Sequence, residues 1–237
     1  MKLLDGLEVV VTGGTGALGR AVVEGLAREG ARCCVPVRAE SQAATVEALA
    51  ATRIEVPTGI DVTEEAPVEE LFAAYGADRP LWASIHLVGG FHWGSLADSP
   101  LSVFDEMISL NARSCYLACR AAAAAMMRGG EGGRILNVPA RPGLNPVAGA
   151  SMVAYTGAKA AVAAMTQAMA EELASDGIWV NAVAPSIMDT PRNRADMPNA
   201  NHESWPTPKE VAATITFLVS PSNRSTRGAL VPVYGRA

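Results

Sequence analysis

The sequence predicts an α/β domain in which a parallel β-sheet is covered by helices on both faces. Three observations carry this. Short β-branched runs alternate with helical stretches along the whole chain, as successive βαβ units require. The β-branched runs are apolar without clean alternation, the pattern of strands buried on both faces. A glycine-rich turn, Gly14-x-Gly16-x-x-Gly19, joins the first such run to the first helical stretch.

The elements follow in order. Leu7 to Thr12 reads as the first strand. Gly16 to Glu29 carries Leu18, Val22, Val23, Leu26 and Ala27, a helical spacing. Arg32 to Val37 is a second strand, Ser41 to Ala51 an amphipathic helix, Arg53 to Asp61 contains a third strand, and Val68 to Tyr75 is a helix. Pro80 to Val88 is the fourth strand. Pro100 to Met127 reads as one long helix, capped by Ser99 with Pro in its first turn. Arg134 to Val138 is the fifth strand, Met152 to Ser175 a second long helix, and Ile178 to Ala184 the sixth strand. Pro208 to Val219 is a helix and Ala229 to Val233 the last strand. The segments with most loop character are Gly89 to Asp98, Ala140 to Ala150 and Pro185 to Thr207. All three follow strands, where open α/β sheets bind ligands. No repeat and no linker interrupts the pattern, so residues 1–237 are expected to form one domain.

Composition excludes several functions. The 237 residues are 49% hydrophobic and 18% charged, ample for a buried core. The net charge of −5 argues against an electrostatic grip on nucleic acid or anionic membrane. No apolar run approaches the ~20 residues of a membrane span. Asp5 stands where a signal peptide would build its apolar core. The four cysteines fall in two close pairs, Cys33-Cys34 and Cys115/Cys119, which build no disulfide framework. The expected compartment is reducing cytoplasm.

The chemistry begins at the glycines. They permit a tight turn and let backbone N–H groups approach a pyrophosphate at a helix N-terminus. The end of the second strand then bears on which dinucleotide binds. An acid there would hold the ribose 2′-hydroxyl of NAD. The sequence instead reads Val35-Pro36-Val37-Arg38. Arg38 suits a 2′-phosphate through charge-assisted hydrogen bonds, against the alternatives of a solvated surface Arg and the counter-signal of nearby Glu40. NADP(H) is therefore the preferred cofactor, with NAD(H) as the alternative. Tyr155 and Lys159 stand four apart on one helix face, so phenol and ammonium can meet one pocket. Only Lys2, Lys159 and Lys209 are lysines, so a Lys in this Ala-rich helix needs a reason. A neighbouring cation is expected to lower the pKa of the phenol.

These landmarks, in their order, resemble the short-chain dehydrogenase/reductases over nearly the whole chain. They are Thr12-Gly13-Gly14-Thr15-Gly16-Ala17-Leu18-Gly19, Asp61-Val62, Asn111, Tyr155-x-x-x-Lys159, Asn181-Ala182-Val183-Ala184-Pro185 and Thr190. The resemblance implies a Rossmann-type, doubly wound, seven-stranded parallel sheet and hydride transfer involving a nicotinamide. It implies Tyr155 as proton donor or acceptor. Lys159 would bind the nicotinamide ribose, and Asn111 would hold a water on a relay behind it. Gly13, Thr15, Gly16, Leu18 and Gly19 would cradle the pyrophosphate. Asp61 and Val62 would meet the adenine, and Val88, Gly89 and Pro185 would flank the cofactor. Met188 and Thr190 would fix the carboxamide end. The family commonly packs its long helices against partner copies, which implies a homodimer or homotetramer.

Departures from the family pattern are as informative. After the fourth strand, Asn-Asn-Ala-Gly is replaced by His86-Leu87-Val88-Gly89. The fifth strand, which usually ends Asn-Ile-Ser-Ser, reads Asn137-Val138-Pro139-Ala140. Ala140 thus occupies the position of the Ser that orients the substrate carbonyl. It stands fifteen residues before Tyr155, two more than usual. Either the site is silent, or the substrate does not need that donor, or Ser151 replaces it. Dihydropteridine reductases of the same family resemble this chain in lacking the Ser. Retention of Tyr155, Lys159 and Asn111 favours an active oxidoreductase acting on a carbonyl or conjugated C=O/C=N substrate. The alternatives are a quinonoid dihydropteridine-type reductase and a silent dinucleotide-binding sensor or scaffold. Phe91, His92, Trp93, Met152 and Trp205 are candidates for a partly aromatic substrate pocket, against ordinary loop anchoring. His86, His92 and His202 lack metal-ligand spacing, and Cys115/Cys119 read as core packing, so no metal is expected.

Overall fold

The fold is built outward from β1 (Glu8–Thr12), an interior strand that pairs in parallel with β2 (Arg32–Cys34) on one side and β4 (Leu81–His86) on the other. Around it, a computed structural model describing residues 2–47 and 53–236 completes a seven-stranded sheet. The outer strands are β3 (Ile54–Glu55), β5 (Gly133–Asn137), β6 (Ile178–Pro185) and β7 (Leu230–Val233), in the order β3-β2-β1-β4-β5-β6-β7. Every neighbouring pair is parallel. The expected doubly wound Rossmann-type sheet is therefore present.

The two-residue period of a strand divides β1 between two cores. Val9 and Val11 face one side, where α1 (Ala17–Arg28) brings Leu18, Val22 and Leu26 against Ile215 of α9 (Pro208–Val219). Val10 faces the other side, with α3 (Glu65–Ala73), α5 (Ser114–Gly129) and α7 (Val153–Glu172). The strands lack an alternating sequence because both faces are buried. Thr207 and Glu210 form a capping box on α9, with Pro208 at its first position.

Several elements differ in detail from the sequence expectation. The third strand is only two residues long. The ladder nevertheless continues through Val35 N–H to Glu55 O and Val37 N–H to Pro57 O, and Pro57 has no N–H to extend it. The helix expected over Ser41 to Ala51 forms as a 3₁₀ turn (Glu40–Gln42) and α2 (Ala43–Glu47); residues 48–51 lie outside the described residues. The helix expected over Val68 to Tyr75 starts three residues earlier, at Glu65. The long helix runs as α4 (Leu101–Met107), a π-helical segment over Ile108–Arg113, and α5. Ser99 does not cap it: Pro100 is the N-cap, and the Ser99 hydroxyl donates to Ser95 O at 2.7 Å. Ser99 lies one residue too early to reach the first turn. The loops after β5 and β6 hold two short helices, α6 (Arg141–Leu144) and α8 (Pro191–Asp196).

The turn between β1 and α1 fits only because it carries no side chain at key points. Gly13 has φ +75°, and a Cβ there would lie 2.7 Å from the Val88 backbone nitrogen. Left-handed backbone and overpacking act together at this position. Gly13→Ala is expected to lower unfolding stability by about 2–4 kcal/mol in urea titrations. Wild-type stability would show that the β4 end can move aside.

Candidate active site

The C-terminal ends of β1, β4, β5 and β6 bring the expected residues to one edge of the sheet. Gly13, Thr15 and Gly16 form the turn before α1, and Leu18 and Gly19 are buried in its first turns. A Cβ on Gly19 would meet Gly13 O, so turn and helix touch backbone to backbone. No side chain caps α1, and Gly16 at its N-cap is exposed. That is a cradle of backbone donors suited to a pyrophosphate.

Beside the turn, Arg38 is 74% exposed, and its guanidinium stands 3.7 Å from the Asp61 carboxylate. The Asp61 carboxyl accepts hydrogen bonds from Thr63 Oγ1 and Thr63 N at 2.7 and 2.9 Å. Those bonds, with the nearby Arg38, hold it below the usual carboxylate range. Val62, next in sequence, is buried. No acid stands at the end of β2, so the only charged partner of Arg38 among the described residues is this long, solvent-screened contact.

Tyr155, Lys159 and Asn111 meet behind Gly89. The Lys159 ammonium is buried and donates to Val138 O at 2.9 Å; it lies 5.9 Å from the Tyr155 ring centroid. A Cβ on Gly89 would fall 2.6 Å from Asn111 Oδ1 and 3.3 Å from Lys159 Nζ. Val88, just before it, packs at the edge of the core on the α5 side. Asn111 sits in the π-helical segment, where its amide donates to Met107 O and Gly90 O and accepts from Gly90 N–H. Its side chain therefore laces the loop after β4 to the long helix. Burial drives the Lys159 pKa down to about 8 and pushes Tyr155 up to about 12. The tyrosine shift is opposite to the expected lowering. The ammonium is turned to the Val138 carbonyl, and desolvation of the phenol dominates.

The substrate-side candidates divide. Phe91 is 59% exposed and sets its ring edge-on to Tyr155 at 5.1 Å. Trp93 is also exposed, and His92 reaches Ser99 Oγ only at 3.5 Å. Met152 caps α7, and its carbonyl accepts from Thr156 N–H. Ser151 is exposed at φ +61°, a strained conformation for a serine, and its carbonyl accepts from Gly94 N–H. That bond joins the loop after β4 to the start of the Tyr155 helix. Trp205, by contrast, is buried and packs at a tilt against His202, with ring centroids 4.7 Å apart, anchoring its own loop. Ala140 is the N-cap of α6 and offers only a methyl group.

Pro185 ends β6. Thr190 caps α8 by accepting from Asn193 N–H, and the Met188 carbonyl accepts from Asn193 Nδ2. Asn193 was not singled out from sequence, although its place three residues after a Thr-Pro helix start was a usable signal. Arg141, also missed, follows Ala140 and stacks on Tyr234 at 5.1 Å. His86, Cys115 and Cys119, scattered in sequence, converge in one buried cluster.

With this geometry in place, comparison with known proteins settles the family. A family model described as "short chain dehydrogenase" matches residues 8–201. The chain belongs to the short-chain dehydrogenases. A sorbitol dehydrogenase of Cereibacter sphaeroides is 30% identical, with 90% of this chain and 84% of that protein covered. The chloroplastic NADPH-dependent aldehyde reductase 2 of Arabidopsis thaliana is 29% identical, covering 98% and 94% respectively. The structure of a short chain dehydrogenase from Mycobacterium smegmatis superposes with TM-score 0.83 at 29% identity, covering 98% of this chain and 93% of that one. This short-chain dehydrogenase is thus an NAD(P)-dependent oxidoreductase. No described helix is long and apolar enough to cross a membrane.

The buried ammonium gives this short-chain dehydrogenase a characteristic pH dependence. Lys159 titrates near 8 when folded, against an ordinary value of 10.5. Between those values the unfolded chain binds one more proton, so stability rises with pH across that window. Lys159→Met is expected to raise stability at pH 7 by about 1–3 kcal/mol and to flatten the slope between pH 8 and 10.5. Urea unfolding at several pH values reads both effects. Parallel pH profiles for the two proteins would contradict the assignment.

Proposed function

We propose that the protein is an NADPH-preferring oxidoreductase that reduces a carbonyl or a conjugated C=O/C=N substrate, with Tyr155 as proton donor. The observation that carries this reading is the convergence of Tyr155, Lys159 and Asn111 behind Gly89, at the end of the sheet where the glycine turn opens. A bound nicotinamide dinucleotide supplies the hydride. The glycine turn and the N-terminus of α1 hold its pyrophosphate, Asp61 and Val62 its adenine, and Met188 and Thr190 its carboxamide end. Val88, Gly89 and Pro185 form the adjoining wall. Lys159 holds the ribose hydroxyls and favours the tyrosinate once the proton has left. Asn111 keeps the loop after β4 at the spacing Lys159 needs. The phenol, already desolvated, holds its proton until charge develops on the substrate.

Arg38 supports the phosphorylated cofactor. Its exposed guanidinium has one weak partner, and the Arabidopsis relative is named for NADPH. A charge-assisted contact to a 2′-phosphate contributes about 1.5–3 kcal/mol, or roughly 10- to 150-fold in affinity. Fluorescence titration at fixed salt is expected to give tighter binding of NADPH than NADH, with the order reversed in Arg38→Asp. Equal wild-type affinities would remove Arg38 from this role.

Ala140 bears on the substrate. A simple ketone develops alkoxide charge, and loss of one donor costs ~10²–10³ in rate. Electrophiles that delocalise the incoming charge, such as quinonoid rings, diketones or iminium-like species, tolerate that loss. This favours the quinonoid dihydropteridine type as the second reading. Phe91, with Trp93, His92 and Met152 around it, supplies an aromatic wall for such rings, and Ser151 remains the candidate donor if simple ketones are turned over. In a panel of ketones and quinonoids, kcat/KM is expected to favour the delocalised class. Tyr155→Phe is expected to abolish turnover while leaving NADPH affinity unchanged. Full kcat in Tyr155→Phe would overturn the proton-donor role, and absence of all turnover would favour a sensor. The same reading carries a cytoplasmic homodimer or homotetramer joined through the long helices, where Leu101, Phe104 and Tyr116 expose apolar surface.

A further inference from the structure

The geometry points to a buried, closed metal site of the zinc class, formed by His86 Nδ1, Cys115 Sγ, Cys119 Sγ and Asn137 Oδ1 beneath the catalytic edge of the sheet. The imidazole and the two sulfurs lie within 4.8 Å of one another, and all three residues are buried. Cys115 and Cys119, one turn apart on α5, place their sulfurs 3.9 Å from each other. Cys119 Sγ is 3.3 Å from His86 Nδ1, and each sulfur is 3.3 Å from Asn137 Oδ1. Asn137 Oδ1 in turn is 2.9 Å from His86 Nδ1. A tetrahedral ion with Zn–S near 2.3 Å and Zn–N near 2.0 Å would set sulfurs about 3.8 Å apart and mixed pairs about 3.5 Å apart. The sulfur–sulfur and sulfur–nitrogen or sulfur–oxygen spacings sit close to that shell, whereas His86 Nδ1 and Asn137 Oδ1 are tighter than the ~3.3 Å of two such donors and would move apart as the ion enters.

The groups behind the donors fit the same assignment. His86 and Ser84 point to one face of β4, and Ser84 Oγ lies 2.8 Å from His86 Nε2. An outer partner on the second imidazole nitrogen fixes the ring with Nδ1 toward the sulfurs, the usual support of a ligating histidine. The Asn137 amide donates from Nδ2 to Thr166 Oγ1, which donates to Val162 O, so Oδ1 is held toward the cluster. Two thiolates and a divalent ion form a neutral unit, which suits an apolar core. The two thiol protons leave to solvent as the ion binds. Sulfur donors exclude magnesium and calcium. Four protein donors leave no open position, which makes the site structural rather than catalytic. Its effect would reach the reaction through β5: Asn137 is followed by Val138, whose carbonyl receives Lys159.

No linear pattern marks this cluster, because the ligands come from β4, β5 and α5 and only the two cysteines have regular spacing. The alternative is a cluster held by hydrogen bonds alone, with His86 Nδ1–H and the two thiols all donating to Asn137 Oδ1. Full-length protein expressed with added zinc, then desalted, separates the two. About one zinc per chain by elemental analysis is expected. Cobalt in its place is expected to give a thiolate charge-transfer band and tetrahedral d–d absorption. Saturating zinc at about 100-fold over its Kd is expected to raise Tm by about 5–10 °C above the chelator-stripped protein. Ser84→Ala, which keeps all four donors, is expected to weaken zinc binding ~10- to 100-fold without unfolding the chain. Protein without zinc, without the cobalt bands and with one Tm in zinc and chelator would overturn the site. Undiminished zinc in Cys115→Ala would also overturn it, by placing the ion elsewhere.

Discussion

A buried ammonium sets the terms for the whole candidate site. Lys159 sits inside an Ala-rich helix with its charge out of water, and an isolated cation there would be prohibitive. Three separate elements make room for it. The end of β5 presents the Val138 carbonyl, the loop after β4 comes close only because residue 89 is glycine, and α6 lays Gly143 against the Lys159 backbone, where a Cβ would be 2.7 Å from Lys159 O. The π-helical segment then brings Asn111 to the Gly90 backbone and fixes the approach of the loop after β4. Each is a close backbone contact, so the ammonium, the loop after β4 and the loop after β5 are positioned as a unit.

That unit also explains the phenol. Sequence places Tyr155 and Lys159 on one helix face, which is a statement about direction and not about depth. In the structure the ammonium is satisfied by a carbonyl, and the ring of Phe91 packs edge-on against Tyr155. Desolvation therefore governs the tyrosine, which keeps its proton firmly. A phenol in this state fits the proposed reduction, in which it would arrive protonated and lose its proton only against developing negative charge.

Legibility in the sequence followed the range of the interaction. The order of strands and helices was readable because each is written locally, in apolar runs and in the 3.6-residue period. The glycine turn and the Tyr155/Lys159 pair were readable for the same reason. The π-helical segment was not, since one widened turn leaves the apolar pattern of the long helix almost unchanged. Ser99 resembled a cap because Pro100 follows it, yet the helix begins one residue later. The short helices α6 and α8 lie in segments rich in Pro and Gly or Asn, which read as loop. The family model bears out the family, and the sheet bears out the fold; the roles of individual site residues rest on position and chemistry.

The buried cluster around His86 shows why long-range constellations escape a linear reading. Where the family pattern has asparagine, this chain has histidine, and the change has a counterpart: two cysteines on the facing turn of α5 and an asparagine on β5 turn their polar atoms to the same point. A polar group brought into a core without partners would be destabilising by roughly 1–3 kcal/mol. His86 instead has partners on both ring nitrogens, drawn from two strands and a helix. Such a set ties β4, β5 and α5 together directly below Val138 and Lys159. The position of the ammonium is thus held from above by glycine-lined loops and from below by this polar junction, and a change at either level would reach Tyr155 through the same lysine.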